Sequence, residues 1–279
     1  MYLDGCSSIP LDIRDEHGIQ KTMEKVRPRW VLHAAAMTNV DDCEKNPDEA
    51  RKVNALAAAN VAAAARDVRA GFVYISSDAA FDGSRGNYNE NDPPSPVNCY
   101  GASKVLGEEM VQRVVPSALV VRTNLYGWSS RTKLSYSEWL LEKMRQGTRF
   151  PVFQDVHFNP LLTNTLAEMI LKLAHRQCGG IVHLGNSTPC SKLEFARAVA
   201  KTFEVQAENL IQPIKVDEAG LGARRPHNTV LNCERAQKLF GCAMPNLEED
   251  LARMRGLPNS ELTMGFRMNQ LHKLDAEGI

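Results

Sequence analysis

The stretch "GFVYISS", residues 71 to 77, is a short β-rich run that ends in two serines. The apolar run "RWVLHAAA" (29–36) precedes it, and "ALVVRTNLYG" (118–127) follows it. Between these runs lie the Ala-rich residues 46–68 and the amphipathic residues 101–115, both with helical periodicity. Short apolar strands separated by helices are typical of a parallel sheet that is covered on both faces. The sequence therefore predicts an α/β fold with a doubly wound parallel sheet.

Composition restricts the possible functions. Of the 279 residues, 43% are hydrophobic, and 33 Lys and Arg balance 33 Asp and Glu, so no net field favours nucleic acid or an anionic membrane. The cysteines are scattered without a C-x-x-C pair, which favours a reducing compartment and argues against a zinc site. No apolar run is long enough to span a bilayer, and no signal-peptide pattern is present. We expect a cytoplasmic protein with no metal, no nucleic-acid partner and no membrane contact.

The loops that follow the three predicted strands are the expected place for a functional site. They contain "AAAMTNVDDCE", "SSDAAFDGSRGNYNENDPPSP" and "TNLYGWSSR". Ligands of open parallel sheets bind at the carboxyl ends of the strands, where such loops meet.

The stretch "PVNCYGASKVLGEE" (96–109) places Tyr100 four residues before Lys104, on the same side of a predicted helix. A nearby ammonium lowers the pKa of a phenol, and a hydroxyl such as Ser76 or Ser77 could hold a reacting carbonyl oxygen. A nicotinamide cofactor would supply the hydride. Tyr-x-x-x-Lys alone is weak, because roughly a one-in-four chance of such a pair is expected from the frequency of lysine. The alternative is two surface residues of a helix.

The pattern becomes less regular after about residue 127. Residues 1–127 are predicted to form the main domain, and 128–279 mostly a smaller lobe. Segments of about 159–186 and 225–232 are predicted to return to the main domain, and the polar tail 258–279 to be partly disordered. The predicted elements of this half are helices at 135–147, 164–175 and 191–205, a loop at 150–163 and a strand at 179–186.

Five motifs in register carry a resemblance to a known family. The chain resembles the extended short-chain dehydrogenase/reductase superfamily, and within it the dTDP-4-dehydrorhamnose reductase (RmlD-like) family of sugar-nucleotide reductases, over roughly residues 9 to 255. The motifs are "HAAAMTNVDDCE" (33–44), "YISSDAAFDG" (74–83), "SPVNCYGASKVLGE" (95–108), "VVRTNLYG" (120–127) and "GARRPHNTVLN" (222–232).

The resemblance implies an NAD(P)-binding, Rossmann-like main domain with a smaller carboxyl-terminal substrate-binding lobe. Tyr100 would donate a proton to the keto oxygen of the sugar, and Lys104 would lower the pKa of Tyr100 and reach the nicotinamide ribose. Ser77 would fill the hydroxyl position of the catalytic triad. The implied residues for NADP or NAD are Asp12, Ile13, Ala34, Ala35, Ala36 and Met37, with Tyr100 and Lys104. Those for the nucleotide-sugar are Ser77, Asp78, Val40, Asn98 and, facing a phosphate, Arg225.

Structural roles compete with several of these assignments. Ser77 could cap a turn, Asp12 could belong to a solvated charge cluster with Arg14, and Arg225 could form an ion pair within the protein. The histidines lack metal-ligand spacing. Cys99 has no base at a recognisable spacing, so we assign it no nucleophilic role.

The chain departs from the family at its amino end. Its members open with a strand, a G-x-x-G-x-x-G turn and a helix whose amino end binds pyrophosphate, and no such motif occurs in these 279 residues. The first β-α-β unit is expected to be missing, leaving a gap beside "RWVLHAAA". The sequence lacks its true start, or the domain is completed from outside, or normal cofactor binding has been given up; we favour the first.

The sequence predicts an NAD(P)H-dependent reductase of a nucleotide-linked 4-keto-6-deoxysugar. The alternative is a non-catalytic protein that resembles the regulatory beta subunit of methionine adenosyltransferase, with the catalytic subunit as its partner. That subunit shares the "ISSD…FDG" form and a stretch similar to residues 222–228, and this chain has Ala79 and Leu125 where the reductases place aromatic residues. A truncated, inactive form is the third reading. The family often pairs through helices, so a homodimer is also an expectation.

Overall fold

The computed structural model describes residues 6–129 and 134–257. The predicted disorder of 258–279 falls outside these residues. The α-helices are α1 (Glu16–Val26), α2 (Val40–Lys45), α3 (Pro47–Arg51), α4 (Ala57–Asp67), α5 (Cys99–Val114), α6 (Tyr136–Arg145), α7 (Thr163–His175), α8 (Lys192–Thr202), α9 (Glu234–Phe240) and α10 (Leu247–Gly256). The strands are β1 (Trp30–His33), β2 (Gly71–Ile75), β3 (Leu119–Thr123), β4 (Leu125–Tyr126), β5 (Phe150–Phe153), β6 (His157–Phe158), β7 (Leu161–Leu162), β8 (Gly180–Leu184), β9 (Cys190–Ser191) and β10 (Ile211–Ile214).

The main sheet has the strand order β1-β2-β3-β8, and all three neighbouring pairs are parallel. This confirms the predicted α/β fold with a parallel sheet. β8 comes from the segment that was predicted to return to the main domain. At the opposite end of the sheet, β1 pairs with β2 alone among the described residues, and Leu32 on β1 is 52% exposed.

Helices cover both faces of this sheet. On one face, Phe72 and Tyr74 of β2 pack with Ile19 of α1 and Val61 of α4. On the other face, alternate strand residues such as Val73 pack with α7 and α9. Successive side chains of a strand point to opposite faces, so a strand buried on both sides requires the nearly continuous apolar runs that the sequence contains.

The second lobe has its own core, built from α6, α8 and α10 around short strands. β5, β6 and β7 lie within residues 150–162, so the prediction of a plain loop over 150–163 was wrong. β5 pairs in parallel with β10, about sixty residues further along the chain, and β6 pairs with β9. Strands of two to four residues that pair only with distant segments leave no local periodicity to detect.

The Ala-rich stretch 46–68 is helical, as predicted, but it is interrupted. Residues Lys52–Leu56 form a π-helical segment between α3 and α4. Pro47 stands at the amino-terminal end of α3, where the missing N–H of proline costs nothing. None of the described helices is both long and apolar enough to cross a membrane.

Candidate active site

A cavity of about 640 Å³ opens at the carboxyl ends of β1, β2 and β3. The second lobe closes its far side with residues of β5, β6 and α8. The structure brings most of the predicted site residues together at this place. The predicted residues that line the cavity are Ala34, Ala36, Val40, Ser77, Asp78, Asn98, Tyr100, Lys104 and Arg225.

The other predicted residues lie away from the cavity lining. Asp12 is exposed and forms an ion pair with Arg14 at 2.7 Å, and this neighbour lowers the pKa of Asp12 to about 2. Ile13 packs against the core of the main domain. Ala35 and Met37 belong to the loop after β1 but do not line the cavity. A cofactor-binding role for these four residues remains a prediction.

Asn98 fixes the start of α5 and therefore the position of Tyr100. Its Oδ1 accepts a hydrogen bond from the backbone N–H of Gly101 at 2.8 Å, which caps the helix. Its Nδ2 donates to the carbonyl of Arg224 at 2.9 Å. One side chain thus joins the first turn of the Tyr100 helix to the segment 222–232, more than a hundred residues away.

Tyr100 is held as a neutral phenol. Burial, with a smaller contribution from the charge of Asp78, raises the pKa of Tyr100 to about 12, although hydrogen bonding with Ser77 acts in the opposite direction. The resemblance implied a pKa lowered by Lys104, and the structure shows the reverse direction. The physical reason is that loss of hydration disfavours the phenolate more than the neighbouring groups stabilise it.

Lys104 is almost completely buried, with 3% of its surface exposed. Its Nζ lies over the ring of Tyr74, 4.1 Å from the ring centroid. Burial lowers the pKa of Lys104 to about 7, and the nearby carboxylate of Glu108 opposes this shift. Glu108 lies one further helical turn along α5 and is itself ion-paired with Arg122 at 2.6 Å. The ammonium charge of Lys104 therefore depends on a buried carboxylate on its own helix.

Asp78 orders the hydroxyl of Ser77. The Ser77 hydroxyl donates to Oδ1 of Asp78 at 3.0 Å and accepts from the backbone N–H of Ala79 at 3.1 Å. The other carboxylate oxygen accepts from Asn124 at 3.0 Å and from Thr229 at 2.7 Å. Asp78 thus joins the loops after β2 and β3 to the segment 222–232, and its charge is shared among three neutral donors. Asn124 and Thr229 were not predicted as site residues.

Arg225 takes part in an ion pair while it lines the cavity. Its guanidinium lies 2.7 Å from the carboxylate of Asp41 on α2, and this pairing lowers the pKa of Asp41. The backbone N–H of Ala223 donates to the same carboxylate at 3.0 Å. The two roles that the sequence left open for Arg225, an ion pair within the protein and a position facing a ligand, are therefore sterically compatible.

Sequence reasoning missed two further residues. Asn54, in the π-helical segment, is fully buried and bonds to Met37 and to Ser103 of α5. The only signal was a polar side chain inside an Ala-rich helix. Lys192, the first residue of α8, lines the cavity from the second lobe. Its neighbours Ser191 and Glu194 form a capping box, and such a pattern in the sequence gives no indication of a site.

A model of the RmlD substrate-binding domain family matches residues 2–256. The chain belongs to this family. The match confirms the predicted resemblance, which rested on the five motifs, and all five supply residues to the cavity lining.

Two curated relatives and one solved structure illustrate the range of RmlD-like proteins. The probable low-salt glycan biosynthesis reductase Agl14 of Haloferax volcanii is 30% identical over 253 residues, which are 89% of this chain and 84% of the relative. Methionine adenosyltransferase 2 subunit beta of Danio rerio is 31% identical over 236 residues, 82% and 72% of the two chains. A dTDP-4-dehydrorhamnose reductase of Bacillus anthracis, solved in complex with NADP, superposes with a TM-score of 0.82 at 33% identity and covers 88% of this chain and 86% of its own.

The described residues contain no candidate metal site. Across 6–129 and 134–257, no group of three or more His, Cys, Asp and Glu side chains is arranged to hold an ion.

Proposed function

We propose that this chain is a reductase of a nucleotide-linked 4-keto-6-deoxysugar and that it uses NADPH or NADH. The observation that carries the proposal is the meeting of Ser77, Tyr100 and Lys104 in one cavity whose far wall belongs to the second lobe. Family membership and the NADP-bound reductase among the similar structures support it.

The residues of the cavity can supply the proton that the reduction of a carbonyl group requires. Tyr100, with its pKa near 12, keeps its proton at neutral pH and can give it to the carbonyl oxygen as that oxygen gains charge. The Ser77 hydroxyl donates its one proton to Asp78 and accepts from the N–H of Ala79. Rotation of this hydroxyl away from Asp78 lets it donate a hydrogen bond to the same carbonyl oxygen instead. A bound nicotinamide supplies the hydride to the carbonyl carbon. The product is a hydroxyl, with the hydride on carbon and the Tyr100 proton on oxygen.

The residues present fit the nicotinamide end of such a cofactor. Ala34 and Ala36 bring small side chains to the cavity directly after β1, which leaves room for a planar ring against the backbone. Lys104 provides a buried ammonium next to Tyr100 that can bond to ribose hydroxyls. The pyrophosphate end has no counterpart in sequence, because the chain contains no G-x-x-G-x-x-G.

The decisive experiment is hydride transfer to a keto-sugar nucleotide. The protein, as the 279-residue chain and with a glycine-rich β-α-β unit of a family relative added at its amino end, should oxidise NADPH or NADH in the presence of dTDP-4-keto-6-deoxyglucose. Tyr100→Phe should reduce turnover by about 100-fold or more. Tyr88→Phe is the matched control, because the Tyr88 hydroxyl bonds to Asp82 and does not line the cavity. A protein that binds the dinucleotide but reduces no keto-sugar nucleotide in either form contradicts the proposal.

A regulatory role is the second candidate, and a specific observation favours it. Several relatives, including the Danio rerio protein, are beta subunits of a methionine adenosyltransferase. If this chain serves that role, it should form a stable complex with a methionine adenosyltransferase catalytic subunit in size-exclusion chromatography. The same measurement with light scattering reports whether the chain alone is a homodimer. Absence of a complex at micromolar concentrations contradicts the regulatory role.

A further inference from the structure

The ammonium of Lys192 occupies an unusual position in the cavity. Its Nζ lies 3.4 Å from the ring centroid of Phe158 and 4.7 Å from that of Tyr136. Cation–π contacts of this kind stabilise a charged group, but they supply no counter-ion. Among residues 6–129 and 134–257, no carboxylate lies within ion-pair distance of Lys192, whereas Arg225, which also lines the cavity, has Asp41.

Asp78 is the acidic residue of the cavity lining, and it does not neutralise Lys192. Its oxygens already accept hydrogen bonds from Ser77, Asn124 and Thr229. The charge of Asp78 acts on Lys192 only from a distance, by raising a pKa that burial lowers to about 8. Burying an ammonium without a neighbouring anion costs free energy, because the group loses part of its hydration. An anionic ligand would offset that cost.

The amino end of α8 does not compete for such a ligand. The Ser191 N–H donates to Glu194 at 2.6 Å, and the Glu194 N–H donates to the Ser191 hydroxyl at 3.1 Å. The Lys192 N–H donates to the carbonyl of Val156 at 2.9 Å. The N–H groups of Ser191, Lys192 and Glu194 are therefore already used, and the side chain of Lys192 is the cationic group that this end of α8 presents to the cavity.

We propose that Lys192 binds the diphosphate of the nucleotide-linked substrate and so determines specificity for a phosphorylated ligand. The inference rests on the proposed function, since it assigns a residue to the substrate of that same site. In a 4-keto sugar the reacting carbon and the anomeric oxygen lie at opposite ends of the ring. A sugar whose keto oxygen meets Ser77 and Tyr100 therefore directs its diphosphate away from them, toward another part of the cavity lining, and Lys192 lies on the part that the second lobe contributes.

The test is calorimetric titration of the 279-residue protein with thymidine diphosphate, uridine diphosphate and the corresponding nucleosides. Lys192→Met keeps the apolar stem between the two rings and removes the charge. It should weaken diphosphate binding by about tenfold to 100-fold, the range for a lost charge-assisted hydrogen bond. It should change nucleoside binding by less than about threefold, within the scatter of a neutral contact. Lys192→Arg retains the charge and should recover most of the affinity.

Lys201→Met is the matched control, because Lys201 lies on the same helix with 81% of its side chain exposed. It should bind both diphosphates like the wild type. Equal diphosphate affinity of Lys192→Met and wild type overturns the assignment, and so does an equal loss for nucleosides or for Lys201→Met. A wild type that binds neither diphosphate overturns the proposed nucleotide-linked substrate, and this inference with it. Melting curves establish that each variant is folded, and Lys192→Gln replaces the Met variant if that one is not.

Discussion

The side chain of Asn54 forms two hydrogen bonds with the backbone of Met37. The Met37 N–H donates to Oδ1 of Asn54 at 2.7 Å, and Nδ2 of Asn54 donates to the Met37 carbonyl at 3.0 Å. The same Nδ2 donates to the Ser103 hydroxyl on α5 at 2.9 Å. Asn54 therefore ties the loop after β1 to the helix that carries Tyr100 and Lys104. Its place in a π-helical segment, a feature that is frequent at functional sites, fits such a role.

Replacing Asn54 should loosen this connection. Asn54→Ala leaves the N–H of Met37 without its partner and its carbonyl with only the weak Cys43 thiol donor, 3.5 Å away. The free energy of unfolding should therefore fall by about 2–3 kcal/mol. Urea denaturation measures the change. Asn60→Ala on α4 is the control, because its hydrogen bond to Glu16 is exposed, and it should cost about 0.5 kcal/mol or less. Similar losses for the two variants would mean that the Asn54 contacts do not hold the loop.

The buried pair of Glu108 and Arg122 gives a second prediction. Arg122 is 1% exposed, and its Nε and Nη2 reach the Glu108 carboxylate at 2.9 and 2.6 Å. Arg122→Met should cost about 3–5 kcal/mol, because it leaves a buried carboxylate without its cation. The double variant Arg122→Met with Glu108→Leu should be more stable than Arg122→Met alone, since the buried carboxylate is removed together with its cation.

Urea denaturation of the four proteins in this cycle measures the coupling between the two side chains. Arg197→Met provides the exposed comparison, because it breaks the ion pair with Glu208 on the surface, and it should cost about 0–1 kcal/mol. A double variant that is no more stable than Arg122→Met alone would contradict the ion-pair argument.

The stability of the protein should fall in mild acid because of His33. Burial, followed by the charge of Lys104, lowers the pKa of His33 to about 4 in the folded protein, against 6.5 for the free side chain. Between about pH 4 and pH 6.5, the imidazole of His33 therefore binds a proton in the unfolded chain but not in the folded protein. Stability is retained above pH 6.5 and is lost as the pH falls toward 4, by about 1.4 kcal/mol per pH unit.

Comparison of His33→Phe with the wild type between pH 6.5 and 4.5 isolates this contribution. The new ring can stack on Phe72 and Tyr74 as the imidazole does, and the variant should show the shallower dependence of unfolding free energy on pH. His17→Gln changes an exposed histidine and should leave the slope of the wild type unchanged. Parallel curves for His33→Phe and wild type would show that His33 titrates alike in both states.

The parts of the site that could be predicted are those formed by residues close together in the sequence. Tyr100 and Lys104 share a helical face because they are four residues apart, and Ser77 and Asp78 directly follow a recognisable strand. The expected direction of the Tyr100 pKa was wrong, because the spacing of two residues gives no information about burial. Burial depends on how the second lobe and the loops close over the helix.

The parts that could not be predicted depend on contacts between distant segments. Asp41 and Arg225 are 184 residues apart, and each has an ordinary exposed charge pattern in the sequence. Lys192 stands in a helix-capping sequence whose local role is complete without any ligand. β5 pairs with β10, a strand that lies about sixty residues further along the chain. In each case the decisive partner is supplied by tertiary packing, and a single sequence contains no local periodicity or spacing that reports it.

The charge on Lys104 should control the pH dependence of the proposed reduction. Burial brings the pKa of Lys104 to about 7, and Glu108 keeps it from falling further. The ammonium loses its proton as the pH rises through this value, so kcat/KM should decline above about pH 7. Glu108→Gln removes the supporting negative charge and should move the decline to lower pH, by about one unit. A variant that affected only folding would lower activity without moving the profile.

Glu109→Gln is the control for this shift, because Glu109 is exposed on the same helix and pairs with Arg113. Its profile should overlay that of the wild type. All three proteins are assayed below the melting temperature of the least stable, since Glu108→Gln also weakens the pairing with Arg122. Identical profiles for Glu108→Gln and wild type would mean that Glu108 does not raise the pKa of Lys104. The alignment of Lys104 and Glu108 along α5 would then have no effect on the reaction.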